Sequence, residues 1–367
     1  MKYLVFGTGA VGGYLGGRLA LAGHPVTFLA RPHVADAMVR QGLRLTGDQP
    51  EGTIPHPYAV SSLEQAFARG TPDVILLAVK AYDCEVAAKA LAAASPQPLP
   101  VVCLLNGIGN EQTLARELGH DQVIPASLTT AVRMVAPAVI QVDRQRGLGL
   151  DANSPLSSQL AVEMEEAGIE PTLYPDAERM KWSKLLTNIV TNATAAIVGW
   201  TPGQIFTHPG LYRLETEALR EAVRVMRRMG LRPQGLPGVP VDLLANLVFL
   251  PPRFTQRLLR RTVAGGRGDK PPSFTHDIGR GRSEVLWLNG AVASHGERLS
   301  LQTPANALLT RVLMDLVNGR VPHAQFLDQP AKLLFLAHQT GVPGVQGYNH
   351  QDGPSPQPGQ GDRIDEV

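Results

Sequence analysis

The feature that most constrains this chain is a glycine-rich stretch near its N-terminal end. Gly7, Gly9 and Gly12 form a G-x-G-x-x-G pattern directly after an apolar run, residues 2–6, and open a helical pattern over residues 10–22. In a first strand–turn–helix unit, these glycines permit a tight turn, the approach of a pyrophosphate to the backbone, and close packing of helix on strand. The pattern predicts a dinucleotide site, with a purely structural turn as the alternative. The residues of the predicted site are Gly7, Thr8, Gly9, Ala10, Val11 and Gly12.

Hydrophobic patterning predicts two domains of different class. Short continuous apolar runs alternate with helical patterns up to residue 175, which is typical of strands buried on both faces of a parallel sheet. From residue 176 long helical patterns dominate. The predicted strands are 2–6, 25–29, 73–79, 100–105, 122–127 and 171–174, and the predicted helices are 10–22, 84–94, 176–198, 211–229, 273–295 and 303–318.

The fold class expected is therefore an α/β Rossmann-type domain with a doubly wound parallel sheet, residues 1–175, followed by an all-α domain, residues 176–338. Residues 231–269 are rich in Pro, Gly and Arg and are predicted to form a partly helical excursion with mobile ends. Residues 339–367 are dominated by Gly, Pro, Gln and Asp towards their end, and we predict a disordered tail there.

Composition narrows the class of protein. The chain has 367 residues, of which 44% are hydrophobic and 18% charged, with a formal net charge of +2. This length exceeds what one hydrophobic core usually fills, which agrees with two domains. Because the sequence has no strong basic excess and no apolar run of about 20 residues, we expect neither nucleic acid nor a membrane as a partner.

The two cysteines indicate whether the protein works in a reducing or an oxidising environment. Cys84 and Cys103 have the spacing of neither a disulfide framework nor a metal cluster, so we expect a reducing environment and no metal site. Lys2 and the mostly apolar residues 3–22 imitate a secretory signal, but six glycines in that window would weaken its helix. We therefore predict a cytoplasmic protein.

The end of the second predicted strand bears on the choice of dinucleotide. A site that prefers NAD places Asp or Glu about 20 residues after the glycine turn, to bind the ribose 2′-hydroxyl. Residues 27–33 contain no acid, and Arg31 stands at the expected place. A guanidinium would pair with a 2′-phosphate, which favours NADP(H). A solvated surface arginine is the alternative.

Three polar residues recur along the predicted helix 176–198. Lys184, Asn188 and Asn192 lie at i, i+4 and i+8, which would set an ammonium and two carboxamides along one helix face. Their neighbours are mostly apolar, so the row would border a buried helix. We interpret it as a ligand-binding row, with a structural hydrogen-bond network as the alternative.

Two further polar residues follow predicted strands. Lys80 comes directly after residues 73–79, and Asn106 after residues 100–105. Open α/β sheets bind ligands at the carboxyl ends of their parallel strands, so both are predicted to contact cofactor or substrate. Each could also be an ordinary loop residue. Glu284 stands beside basic residues and, from the sequence alone, resembles a surface ion-pair partner.

Five motifs together resemble one known family. They are G-T-G-A-V-G-G at 7–13, V-K-A-Y at 79–82, L-N-G-I-G at 105–109, W-S-K-L-L-T-N-I-V-T-N at 182–192, and S-F-T-H-D-I-G-R-G-R-S-E at 273–284. In this order, spread over about residues 1–320, they resemble the ketopantoate reductase family. The resemblance implies NADPH-dependent reduction of 2-dehydropantoate (ketopantoate), a small 2-oxo acid, to (R)-pantoate, a step toward pantothenate and coenzyme A.

The resemblance also implies roles for individual residues. Lys184 matches the family's catalytic acid, and Glu284 matches the glutamate that holds the substrate hydroxyl, so both become candidate catalytic residues. Lys80 matches a lysine beside the cofactor. The residues that match contacts to substrate or nicotinamide are Asn106, Asn188, Asn192 and Ser273.

Two other functions remain open. Residues 270–276 and 285–287 depart from the common family pattern, and residues 231–269 form a longer segment than in the shortest members. These departures lie near the substrate side and favour, as an alternative, an NADP-dependent reductase or dehydrogenase for another 2-oxo or 2-hydroxy acid. The second alternative is a non-catalytic NADP(H)-binding sensor, and a homodimer is left open.

Overall fold

A computed structural model of the chain describes residues 1–95, 97–251, 256 and 273–345. Strands occupy its N-terminal part. In chain order they are β1 (Tyr3–Phe6), β2 (Val26–Leu29), β3 (Leu43–Gly47), β4 (Gly52–Ile54), β5 (Tyr58–Val60), β6 (Val74–Leu77), β7 (Val101–Cys103), β8 (Val123–Leu128), β9 (Ala131–Ala136), β10 (Val139–Arg144), β11 (Leu148–Asp151) and β12 (Pro171–Tyr174).

Eight of these strands form the main sheet, in the order β12-β11-β8-β7-β6-β1-β2-β5. All six predicted strands are present in it, and its pairs are parallel except one, so the Rossmann-type fold class is confirmed. The exception is β11, which runs antiparallel to β8. The chain between them leaves through a hairpin and returns without a crossover helix, so the returning strand runs in the opposite direction.

A second, four-stranded sheet in the order β4-β3-β10-β9 was not predicted. β4 has only three residues, and β9 has no buried residue, so these strands lack the continuous apolar signal of the main sheet. The first helix lies between the two sheets, and glycines on both of its faces allow this. A Cβ on Gly16 would lie 2.6 Å from a methyl group of Val5 in the main sheet, and one on Gly13 would lie 2.9 Å from Ile140 in the second.

The described helices surround the main sheet and make up most of the C-terminal part. In chain order they are α1 (Ala10–Leu21), α2 (Pro32–Gln41), α3 (Leu63–Ala68), α4 (Cys84–Ala94), α5 (Asn110–Leu118), α6 (Ser157–Glu166), α7 (Ala177–Ile189), α8 (Asn192–Val198), α9 (Pro202–Thr207), α10 (Pro209–Arg228), α11 (Val241–Leu247), α12 (Asn289–Arg298), α13 (Pro304–Val317) and α14 (Pro330–Gln339). The predicted helices 10–22, 84–94, 211–229 and 303–318 agree with α1, α4, α10 and α13 to within two residues.

Two predicted helices are wrong as drawn. The helix over 176–198 is divided into α7 and α8, because Thr191 takes a left-handed backbone conformation, with φ of 57°. The helix over 273–295 is replaced by two short 3₁₀ segments, Ser273–Asp277 and Glu284–Trp287, before α12 begins. Gly279 and Gly281, each with φ of 73°, lie between those segments and interrupt any continuous helix.

The core of the helical part extends further along the chain than the predicted boundary at residue 338. Val342 and Val345, which follow α14, are at most 1% exposed and belong to this core. The predicted tail over 339–367 is therefore wrong for residues 339–345, and residues 346–367 lie outside those described. Of the predicted excursion over residues 231–269, the described part contains α11, while 252–255 and 257–269 lie outside the described residues.

Candidate active site

The glycine turn joins β1 to α1 at the carboxyl edge of the main sheet. Gly7 has φ of 101°, which favours glycine, and its amide donates to the carbonyl of Leu29 at 3.1 Å. A Cβ on Gly12 would collide with the carbonyl oxygen of Gly7, whereas a Cβ on Gly9 would meet no described atom within 4 Å. Gly12 therefore lets the helix pack against the turn, and Gly9 leaves open space in front of the backbone.

That open space belongs to a cavity of about 680 Å³ at the sheet edge. Nine of the predicted site residues line it: Gly7, Thr8, Gly9, Ala10, Val11, Arg31, Lys80, Asn106 and Glu284. Gly12 is buried beneath the turn. Among the described lining residues Lys184, Asn188, Asn192 and Ser273 do not occur, so the cavity holds the predicted cofactor residues and only part of the predicted substrate set.

Arg31 lies at the rim of this cavity. It is separated from the end of β2 by one residue, Ala30, and precedes Pro32, the first residue of α2, and it is exposed. His33, Ser61 and Ser62 line the same cavity and were not predicted. These side chains supply hydrogen-bond donors without a carboxylate, which suits an anionic group on the ligand.

Glu284 connects the two domains across the cavity. It is 6% exposed, and its carboxylate accepts from Lys80 Nζ at 2.6 Å and from the backbone amide of Ala81 at 3.2 Å. Burial opposes the positive charge of Lys80, but the nearby carboxylate outweighs it and raises the pKa of Lys80. A charged pair is therefore present at the cavity wall, with both partners among the predicted site residues.

The loop that follows β7 makes a second contact between the domains. Asn188 on α7 donates from Nδ2 to Oδ1 of Asn106 at 3.2 Å. The amide of Ile108 donates to the carbonyl of Trp287 at 3.0 Å, and a Cβ on Gly107 would lie 2.5 Å from that same carbonyl oxygen. The loop over 105–109 thus packs against the 3₁₀ segment that carries Glu284, and it places Asn106 at the C-terminal end of α7.

The predicted polar row is divided between two helices. Lys184 and Asn188 lie one turn apart on α7, and both are half-buried. Asn192 is the first residue of α8 and follows the left-handed Thr191. The prediction that Asn192 continues the face of Lys184 and Asn188 on one helix was therefore wrong. Asn192 instead exchanges hydrogen bonds with the hydroxyl of Ser273, at 3.0 and 3.1 Å.

Models of one protein family match both parts of the chain. The model described as ketopantoate reductase PanE/ApbA matches residues 3–152, and the one described as ketopantoate reductase PanE/ApbA C terminal matches residues 176–317. The chain belongs to the ketopantoate reductase family. The suspected resemblance is thereby confirmed.

Individual relatives support this family assignment over most of their length. A 2-dehydropantoate 2-reductase of Archaeoglobus fulgidus is 28% identical over 323 residues, which cover 86% of this chain and 96% of that protein. A PanE/ApbA family ketopantoate reductase from Ralstonia eutropha JMP134 has a structure that matches with a TM-score of 0.73 at 28% identity, covering 87% of this chain and 99% of the other.

One structural neighbour shows the fold alone. A ternary structure of D-mandelate dehydrogenase with NADH and anilino(oxo)acetate matches with a TM-score of 0.70 at 17% identity, covering 87% of this chain and 99% of that one. This ketopantoate reductase family member is an oxidoreductase with a small-molecule substrate, and the hydride donor expected for it is a nicotinamide cofactor.

The glycine cradle fits the dinucleotide of such a cofactor. The open space before Gly9 leaves room for a pyrophosphate close to the backbone, and α1 begins at the next residue, Ala10, which lines the same cavity. No acidic residue lies in the first turn of α1 to repel the phosphates. The residues that would hold the cofactor are those of the turn 7–12 together with Arg31, Lys80 and Asn106.

Sequence reasoning missed a buried ion pair behind the site. Lys181 on α7 is 6% exposed and lies 2.8 Å from Glu111 Oε1, and its Nζ donates to the carbonyls of Leu105 at 2.6 Å and Ala126 at 3.2 Å. Burial opposes its charge, but Glu111 outweighs burial and raises the pKa of Lys181. The signal was a rare lysine inside an apolar helix three residues before Lys184. The Lys181 side chain holds α7 against Leu105, the residue that precedes Asn106.

The described residues contain neither a three-residue metal-binding group nor a membrane-spanning helix. Within residues 1–95, 97–251, 256 and 273–345, no three His, Cys, Asp or Glu side chains come together in a way that could hold a metal ion. Across that same portion of the chain, every helix is too short or too polar to cross a lipid bilayer.

Proposed function

We propose that this protein reduces 2-dehydropantoate to (R)-pantoate with NADPH, as a step of pantothenate and coenzyme A biosynthesis. The observation that carries the proposal is the hydrogen bond between Asn106, in the cofactor cavity, and Asn188, one turn from Lys184 on α7. It joins the cofactor side of the site to the helix that holds the candidate acid. Family membership supports the reaction class.

Arg31 supports NADPH over NADH. It lies at the cavity rim two residues after the end of β2, where an NAD-preferring site would place a carboxylate. A guanidinium forms charge-assisted, often bidentate bonds with a phosphate, and a carboxylate at this place would repel it. Ser61 and Ser62 add hydroxyl donors beside it.

Lys184 is the proposed acid. The reduced nicotinamide, when bound, supplies a hydride to the carbonyl carbon of the substrate. Negative charge then grows on the carbonyl oxygen, and the ammonium of Lys184 stabilises this charge and donates the proton that completes the hydroxyl group. Lys181 supports this assignment, because its bonds to Leu105 and Ala126 hold α7 against the sheet edge.

The remaining candidate residues bind the substrate. Asn188, Asn192 and Ser273 offer amide and hydroxyl donors for a carboxylate. Glu284 accepts bonds from Lys80 and from the Ala81 amide, and a carboxylate has about four lone-pair directions, so it can also accept from a substrate hydroxyl. Approach of the two domains around the substrate would exclude water from the reacting atoms.

The test follows the absorbance of NADPH, and separately of NADH, with purified protein and ketopantoate beside a panel of other 2-oxo acids. Rapid oxidation of NADPH with ketopantoate, and slow oxidation with the other acids and with NADH, is the expected result. Oxidation with another acid only would move the protein to the first alternative, for which the D-mandelate dehydrogenase neighbour offers a precedent of the fold. Tight NADPH binding without turnover would favour a sensor. The cytoplasmic location stays a prediction, and the homodimer stays open.

A further inference from the structure

The break between α7 and α8 places a residue in an unfavourable conformation. Thr191 has φ of 57° and ψ of −6° and is fully buried. A β-branched residue rarely adopts the left-handed region, because its Cβ crowds the neighbouring carbonyl oxygen. Such a conformation persists only where the surroundings hold it in place, and here it lies between the helices that carry Lys184, Asn188 and Asn192.

A buried carboxylate from another helix holds this turn. Glu215 on α10 is 2% exposed, and its Oε2 accepts from the backbone amide of Thr191 at 2.7 Å. In an uninterrupted helix that amide would donate to the carbonyl of Thr187 four residues earlier. The break frees the donor, and a charge-assisted bond to Glu215 satisfies it.

Two other buried acids on α10 have different partners. Glu217 pairs with Arg224 and Arg220. Glu221 accepts from the amides of Ala305 and Asn306 in the first turn of α13, at 2.8 and 2.9 Å. Of these three acids, Glu215 is the one that bonds to the turn between the site helices.

We propose that Glu215 is a positioning residue for the reaction, holding the turn over residues 190–192 so that Asn188 at the end of α7 and Asn192 at the start of α8 face the same substrate. This inference rests on the proposed function. Without the carboxylate, Thr191 would relax toward the right-handed helical region, and the direction in which α8 leaves the turn would change. Asn192 would then lose its register with Ser273 and with α7.

The first experiment compares Glu215→Leu with Glu215→Gln. Leucine removes the acceptor, and we expect kcat/KM for the 2-oxo acid to fall about 10- to 100-fold, because a displacement of about 1 Å in a site can cost that much. The Kd of NADPH should not change, since the cofactor cavity is lined by other elements. Glutamine keeps an oxygen that accepts from the Thr191 amide, and it should retain most of the activity.

The second experiment asks whether backbone strain is the cause. Glycine adopts a positive φ without steric cost, so Thr191→Gly in the Glu215→Leu protein should restore most of the lost kcat/KM. Thr191→Ala is the matched control, because it removes the side chain but keeps the Cβ, and it should restore nothing. Unchanged kcat/KM in Glu215→Leu, or equal rescue by glycine and alanine, would overturn the proposal.

A further measurement separates this proposal from the function on which it rests. Wild-type protein that does not reduce ketopantoate would contradict the proposed function. The positioning proposal is then decided by kcat/KM with whichever acid of the panel is reduced. If none is reduced, amide hydrogen exchange over residues 188–193 decides it. Faster exchange there in Glu215→Leu, together with wild-type exchange in Glu215→Gln, supports the role of Glu215 in holding the turn. Identical exchange in all three proteins refutes that role.

Discussion

The two halves of the site are built in different ways. In the sheet domain, the cofactor cradle is a turn of six consecutive residues, and its shape comes from backbone conformation and from the absence of side chains at glycine. In the helical domain and at the interface, single side chains from distant parts of the chain meet. Asn106 and Asn188 are 82 residues apart, and Lys80 and Glu284 are 204 residues apart.

This difference predicts which changes affect the affinity for the cofactor and which affect the rate of the reaction. A cradle made by neighbouring residues can form before substrate arrives, so changes in it should mainly affect the binding of the cofactor. A chemical site made by long-range contacts depends on how α7, α8 and the Asn106 loop are docked. Changes there should mainly affect turnover. Of the four predictions below, the first three test this division and the fourth concerns the stability of the helical domain. They begin with the largest expected effect.

Lys184→Ala should lower kcat by about 10²- to 10⁴-fold, because it removes the proposed proton donor. The Kd of NADPH should stay unchanged, since Lys184 does not line the cofactor cavity among the described residues. Steady-state kinetics and fluorescence titration with NADPH measure the two quantities. Lys89→Ala, on the exposed face of α4, is the matched control and should behave as wild type. Equal turnover in Lys184→Ala and wild type would remove Lys184 from the mechanism.

Gly9→Ala and Gly12→Ala should separate binding from folding within the cradle. An atom inserted where ligand and backbone touch costs about 1–3 kcal/mol, so Gly9→Ala should raise the Kd of NADPH about 5- to 150-fold. Its Tm should not change, because a Cβ there meets no described atom within 4 Å. Gly12→Ala should lower Tm as well, since its Cβ would collide with the carbonyl of Gly7. Equal Tm values for the two variants would contradict the assignment of Gly12 to helix packing and of Gly9 to ligand binding.

Arg31→Ala should weaken NADPH by about tenfold while leaving NADH almost unaffected, because the exposed guanidinium contributes one charge-assisted contact to the 2′-phosphate. The Kd of each nucleotide, measured at two salt concentrations, checks this, and the difference should shrink at higher salt. Arg40→Ala, which changes an exposed arginine on the helix that follows Arg31, is the control. If NADPH and NADH weaken equally, Arg31 does not recognise the 2′-phosphate.

Glu221 should make the stability of the helical domain depend on pH. Burial raises the pKa of Glu221 from 4.5 to about 7, although the amides of α13 oppose this. Between these two values the folded protein binds more protons than the unfolded chain. The free energy of unfolding should therefore fall, by on the order of 1 kcal/mol, as the pH rises from about 5 to 7. Denaturant unfolding should show this loss in wild type and a flatter dependence in Glu221→Gln. Parallel curves for the two proteins would contradict the prediction.

Much of the sheet domain could be predicted because its signals are local. Residues 74–77 read as a buried strand from four consecutive apolar side chains, and the glycine turn was recognisable from spacing alone. The second sheet was not predicted, because β4 has three residues and β9 has three exposed and three half-buried residues. Such strands form when they pair with β3 and β10, which a short window of sequence does not report.

The helical domain was predictable in its helices but not in their interruptions. Nothing in the residues 188–192 marks Thr191 as left-handed, since threonine disfavours that conformation, and the carboxylate that stabilises it comes from residue 215. Likewise, Glu284 resembled a surface ion pair until its burial and its bond to Lys80 were seen. The family resemblance pointed to Glu284 by matching a motif, not by any physical property of its neighbours.

The amino-acid sequence by itself determined the fold class, the place of the dinucleotide turn and the identity of most candidate side chains. The fold class and the place of the glycine turn depend on interactions between residues a few positions apart, so periodicity and spacing carry that information, whereas Ser273 and Glu284 were found through the family resemblance. The tertiary structure alone decided that α7 ends before Asn192, that Lys181 fastens it to the sheet edge, and that Glu284 faces Lys80 across the cavity. These contacts join elements far apart in the chain, and their free energy is gained only when both domains have packed together.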